Sequence, residues 1–232
     1  MKYINSTIKW ILLIIWSFLI FAFMEVPGVE STPLYSVKNE REFNLAFHQV
    51  NLQHNILMFI AFTIITFVME WYLCKWVGNK LDFLKKVTLK NLILAIISGL
   101  IAYGIGILSA IIAHGSGTNN IIFTETLKTN LAILVVLDLV VIGPIFEEIL
   151  FQAAIQKGFF KRLPPWASII ITSVIFAIAH NAYINIFFFQ KVLSGIIFGS
   201  VYQKTDDIKM AILTHGINNL IIVSSMAIQA YF

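Results

Sequence analysis

Apolar residues fall in long blocks along this chain, over 8–24, 56–76, 92–113, 131–160, 166–180, 186–202 and 210–232, with short polar connections between them. About 20 helical residues cross a hydrocarbon core of roughly 30 Å. The pattern therefore predicts an all-α, polytopic transmembrane bundle of about seven spans. The fourth block is interrupted at Gly143-Pro144, where proline removes a backbone donor and its ring clashes with the preceding turn. A broken helix is expected there, with Glu147 and Glu148 in the first turn after the break, a setting that also favours carboxylate ionisation. Such breaks are tolerated at membrane depth where the freed backbone groups are buried in protein or line a wet cavity. The longest hydrophilic segment, 25–55, is too short for a separate domain, so the chain reads as one membrane domain over 1–232. Its spans in 1–130 are less characteristic, and its motifs lie in 131–232. Pro27, Gly28 and Pro33 mark a turn-rich loop after the first span, and 40–54 reads either as an interfacial helix or as a plain connection.

Composition narrows the class. Of 232 residues 59% are hydrophobic and 12% charged, with a mean hydropathy of +0.85, which excludes a water-soluble domain of this length. The first block lacks a small-x-small cleavage site near Phe23 to Pro27, so a retained span is expected rather than a removed signal. A single cysteine, Cys74, excludes an intramolecular disulfide and a multi-cysteine metal site. The net charge of +4 does not suggest nucleic acid, because the lysines stand at span ends rather than in one cluster. Lys2 and Lys9, the connection 75–90, the connection 157–162, and Lys204 with Lys209 share one side of the membrane if spans alternate. By the positive-inside rule that side is cytoplasmic, with the N-terminus inside and the C-terminus outside. Lysine far outnumbers arginine and Ile and Asn are plentiful, which looks like an AT-rich bacterial genome and a bacterial cell membrane.

Ionisable groups inside such spans are costly and usually face one another or a cavity. Residues four apart on a helix share a face, which pairs Glu148 with Gln152, Phe176 with His180, and His215 with Asn219. Counting about 1.5 Å per residue from Lys161 and from Trp166 puts Glu147 and His180 at the same depth, about 21 Å in, so carboxylate and imidazole can meet. His215 is only about 9 Å beyond Lys209, so the last span must start deeper or tilt to join them. A carboxylate beside an imidazole can take a proton from water, and the hydroxide can attack a carbonyl. His215 and Asn219 would supply oxyanion donors. Two carboxylates and two histidines could instead hold a divalent metal, but the His-Glu-x-x-His spacing of zincins is absent. No metal or other cofactor is expected. Asp138 and Lys191, both in apolar runs, pair with each other or face the access route to the site. His48, His54 and His114 read as surface residues.

Three motifs in order, Glu147-Glu148-Ile149-Leu150-Phe151-Gln152, Phe176-Ala177-Ile178-Ala179-His180 and His215-Gly216-Ile217-Asn218-Asn219, resemble those of the CAAX protease and bacteriocin-processing (CPBP, or ABI) intramembrane proteases. The resemblance covers about 140–232. It implies that Glu147 and His180 activate the water, that His215 and Asn219 stabilise the oxyanion, and that Glu148 supports them, with no metal. Gln152 stands where the family has arginine. An amide can hydrogen-bond to Glu148 but cannot neutralise it. The implied activity is endopeptidase cleavage of a membrane-associated peptide or protein entering between helices, in bacteriocin, pheromone or leader-peptide processing or in self-immunity. A non-proteolytic membrane binding or immunity protein of the same fold stays open because of Gln152. A proton-coupled transporter is disfavoured by the lack of an inverted repeat.

Overall fold

The structure is a computed structural model that describes residues 6–32, 40–48, 50–113, 121–180 and 183–231. It is helical throughout its regular elements: α1 Ser6–Ser31, α2 Glu40–Phe47, α3 Leu52–Val77, α4 Leu89–Ile112 and α5 Ile121–Leu127. A continuous helical rod over 132–159, here α6, precedes α7 Pro165–His180, α8 Ile186–Thr205 and α9 Ile208–Tyr231. Five helices, α1, α3, α4, α8 and α9, are long and apolar enough to cross a membrane, and α7 is a shorter apolar helix. With α6 they give the seven predicted spans.

The centre of the bundle is α6. Every residue from Glu148 to Ala154 is buried, and Phe146, Ile149 and Phe151 join a core with Leu73 of α3, Phe176 of α7, Phe198 of α8 and Ala211 of α9. A helix covered on all sides is apolar on all sides. The outer helices instead keep apolar faces turned outward, as at Ile11, Phe18, Leu57, Ile64, Leu108 and Ile111, the arrangement lipid requires. In a bilayer, helices associate by close packing of small residues rather than by the hydrophobic effect, and α8 meets this need with Gly195 and Gly199. A Cβ on Gly199 would come within 2.4 Å of Gln156 Oε1 on α6.

One expectation near α1 is corrected. Pro27 and Gly28 do not end the first helix, which runs on to Ser31 with Pro27 inside it. Proline costs a helix only the bond to the carbonyl four residues back and a local clash, and the helix closes three to four residues later. There Ser31 Oγ and Thr32 Oγ1 donate to the Gly28 carbonyl at 2.9 and 2.7 Å. Part of 40–54 is the short helix α2. His48 and His54 are exposed, and His114 lies outside the described residues.

The basic connections gather on one side. Lys85 Nζ donates to the Asp206 carbonyl at 2.8 Å, Lys209 Nζ donates to the Lys85 carbonyl at 3.0 Å, and Lys157 pairs with the Asp206 carboxylate. Trp10 of α1 packs on Phe159 of α6, ring centroids 5.5 Å apart, which brings the Lys9 end to the same side. Hydrogen bonding from Lys157 holds the Asp206 carboxyl below the usual carboxylate range.

Candidate active site

The interruption at Gly143-Pro144 takes the form of a change in hydrogen-bond register, not of two separated helices. Asp138–Ile142 is π-helical, and the Gly143 N–H donates to the Asp138 carbonyl five residues back. Pro144 has no N–H to continue that series, so the Leu139 carbonyl is left over. Asn219 Nδ2 of α9 donates to it at 2.8 Å, and Asn218 Nδ2 in turn donates to Asn219 Oδ1 at 2.8 Å. The freed carbonyl is thus the anchor that fixes α9 against α6. Gly216 makes the approach possible, since a Cβ there would stand 2.9 Å from the Val140 carbonyl oxygen. The helix N-terminus expected beneath Glu147 and Glu148 does not exist, because the backbone stays helical through Ile142, Glu147 and Glu148. Glu148–Phe159 is π-helical as well, and such segments occur often at functional sites.

This arrangement brings all four ionisable motif residues together. Glu147 Oε2 lies 3.2 Å from His180 Nε2 and 3.9 Å from His215 Nε2, and Glu148 Oε1 lies 2.9 Å from His215 Nδ1. His180 Nδ1 is 2.9 Å from the Phe176 carbonyl oxygen. A carbonyl only accepts, so Nδ1 carries the proton and Nε2 faces Glu147 with one further proton to share between them. His215 is oriented likewise: Nδ1–H donates to Glu148, and Nε2 is turned toward Glu147. Aromatic rings wall the imidazoles, with Phe198 stacked on His215 at a centroid distance of 4.5 Å and Phe176 beside His180 at 4.2 Å.

The two acids differ in access. The side chains of Glu147 and His180 are 19% and 23% exposed, and both line a cavity of about 550 Å³ together with Asn219. Glu148 is fully buried, its Oε2 without a hydrogen-bond partner among the described residues. A smaller cavity of about 280 Å³ reaches His215 from the α4 and α8 side, lined also by Tyr103, Lys191 and Asn218.

Several expected relations turn out otherwise. Gln152 is fully buried but makes no hydrogen bond to Glu148. Neither of its amide atoms has a partner among the described residues. His215 takes the Glu148 oxygen instead, and Gln152 Oε1 sits against α8, 2.9 Å from where a Cβ on Gly199 would stand. Asn219 shares its helix face with His215, but its amide is engaged with the Leu139 carbonyl, leaving one N–H uncommitted. Asp138 and Lys191 do not pair. Asp138 lines the larger cavity and Lys191 the smaller. Sequence reasoning missed Glu25, which lines the larger cavity. It stands at the start of the hydrophilic segment 25–55, and only its helical spacing from Phe18 and Phe21 signals it.

Residues 129–221, from just before α6 into α9, match the family model of the Rce1-like type II CAAX prenyl endopeptidases. The match covers less than half of the chain. The matched residues include Glu147, Glu148, His180, His215 and Asn219, and the similarity supports an intramembrane endopeptidase at the family level, consistent with the CPBP resemblance. No curated protein and no solved structure matches the chain.

Proposed function

We propose that this protein is an intramembrane endopeptidase in which Glu147 activates a water molecule. The observation that carries the reading is the convergence of Glu147 Oε2 on both His180 Nε2 and His215 Nε2 at the wall of a cavity. In the step, Glu147 takes a proton from water and the hydroxide oxygen bonds to the scissile carbonyl carbon. The carbonyl electron pair moves onto its oxygen. His180, its Nδ1–H tied to the Phe176 carbonyl, keeps Nε2 aimed at Glu147 and shares the proton. The oxyanion is held by an Nε2–H of His215, whose ring Glu148 fixes through Nδ1, and by the uncommitted N–H of Asn219. The proton then passes to the leaving amine nitrogen as the C–N bond breaks. Positioned proton transfer supplies about 10²–10⁴-fold, and each oxyanion donor about 3–4 kcal/mol.

Within this class we assign the chain to processing of a small membrane-associated peptide, such as a bacteriocin, pheromone or leader, or to self-immunity, with the lysine-rich side cytoplasmic. Membrane proteomes and secreted peptides are to be compared between cells making the wild type and cells making Glu147→Gln at equal level. Uncleaved precursors accumulating in the variant support the reading. An unchanged peptide profile with an unchanged phenotype overturns it in favour of a binding protein of the same fold, a reading favoured by the unpaired Gln152 amide. Cleavage should also survive strong chelators, because the proton acceptor is a carboxylate already held against two imidazoles. Loss with chelator and rescue with zinc would make the histidines ligands.

A further inference from the structure

Two cavities meet along α1. The larger one described above shares Phe21, Phe151 and Ala179 with a second, about 440 Å³, lined almost wholly by hydrocarbon from α1, α6 and α7. Phe18, Phe21, Glu25 and Gly28 fall on one face of α1 at helical spacing, so the two adjoining cavities line up as a slot with an apolar end beside Phe18 and a polar end beside Glu25. Three carboxylates line the polar end, Glu25, Asp138 and Glu147, and His180 is the only basic side chain among its lining residues. Lys191 lines the separate 280 Å³ cavity beside His215.

Asp138 sets this apart from a mere cluster of acids. It is 9% exposed, it faces the slot, and its carboxylate makes no hydrogen bond or ion pair among the described residues. Its Oδ2 is directed at α1, 3.3 Å from where a Cβ on Gly28 would stand. An intramembrane carboxylate normally finds a partner, and catalysis as derived above gives this one no task. A free metal ion does not fit here, because no three acidic, histidine or cysteine side chains among the described residues are placed to hold one. A cation borne on an apolar carrier does fit, since the carrier has the hydrocarbon end of the same slot.

We infer that the substrate is an apolar membrane segment bearing a lysine or arginine near the bond to be cleaved, and that Asp138 and Glu25 receive its charge. This rests on the endopeptidase reading for the bond cleavage but not for the recognition. Asp138 and Glu25 are specificity residues, and Glu147 remains the base.

The test uses full-length Glu147→Gln protein in nanodiscs of zwitterionic phosphatidylcholine, which removes lipid charge and cleavage. The probes are three dye-labelled Leu-Ala transmembrane peptides that differ only in a central Lys, Gln or Glu. The Lys peptide should bind about tenfold or more tighter than the Gln peptide. Adding Asp138→Asn should cut that preference to under about threefold, Glu25→Gln on top should erase it, and Asp138→Lys should shift preference to the Glu peptide. Equal binding of the Lys and Gln peptides overturns the inference, as does a Lys preference that survives the loss of both acids. Calcium or magnesium that binds the protein and displaces the Lys peptide also overturns it, by giving the acids to a free ion. A Lys preference in a protein whose wild type cleaves none of the peptides upholds the recognition and counts against the endopeptidase reading alone. Cleavage by the wild type without charge preference does the reverse.

Discussion

Glu147 and Glu148 are neighbours on one helix and each meets an imidazole, yet the two pairs stand in different surroundings. Glu147 and His180 open onto a cavity that also touches α1. Glu148 is sealed at 0% side-chain exposure, and His215, 5% exposed, lies under the rings of Phe176 and Phe198 and is reached only by the smaller cavity. Reaction needs a carboxylate that substrate and water can reach. Holding an imidazole in a fixed direction needs one they cannot, since a hydrogen bond shielded from water is stronger and more rigid. One helix thus supplies a working carboxylate and a holding one by turning consecutive side chains to opposite sides, and the comparison predicts that the two fail in different ways when altered.

The largest effect should come from the open pair. Glu147→Gln should lower turnover by about 10²–10⁴-fold with little change in thermal stability, and His180→Ala added to it should lower turnover no further, because both act on one water. Turnover in nanodiscs with protein level controlled reads this, and an additive loss would break the pair into independent groups. The sealed pair should fail by unfolding. Removing one partner of a buried hydrogen bond leaves the other unsatisfied at a cost of about 1–3 kcal/mol, on top of the cavity that the lost side chain leaves, so Glu148→Ala should melt well below Glu147→Gln in a thermal scan. Equal melting temperatures would erase the contrast.

Next comes the anchor that sets His215 in place. Asn219→Ala leaves the Leu139 carbonyl unpaired at a cost of about 1–3 kcal/mol. In a Pro144→Ala background the restored N–H can serve the π-helical backbone, so the same substitution should cost clearly less. A double-mutant cycle in chemical denaturation measures the coupling, and a coupling energy of zero would mean that Asn219 holds something else. The smallest effect belongs to an exposed pair at the far end of α6. Asp206→Asn should cost under about 1 kcal/mol. Lys157 holds the folded Asp206 carboxyl below its ordinary value of 3.8, so the stabilisation is complete above that value and lost as pH falls through the folded one. Stability curves of the two proteins should therefore part near neutral pH and merge in acid. A gap persisting in acid would show that the loss does not come from the charge pairing with Lys157.

How far the site was legible depends on which relation is asked about. Glu147 and His180 were matched by depth alone, since both count about 21 Å from span ends on the same side. They meet at 3.2 Å. The partner of Glu148 was not legible, because spacing along one helix points to Gln152, whereas a charge-assisted bond from a histidine on another helix wins over a neutral amide. Pro27 and Pro144 were both read as helix ends, yet neither breaks its helix. In each case only a bond is lost, and at Pro144 the orphaned carbonyl found a donor 80 residues away.

The sequence by itself determined that the chain is a multi-span helical membrane protein, which blocks carry the chemistry, and that three motifs follow one another in the order of an intramembrane protease. Hydrophobic block length and charge placement act locally and need no partner to be read. Only the tertiary structure decided that α6 lies at the centre, that its π-helical register frees a carbonyl for Asn219, that Glu148 serves His215, and that Glu25 and Asp138 face one slot. Those relations depend on how each helix is rotated about its axis against the others, and helical periodicity specifies a face without naming what the face will meet.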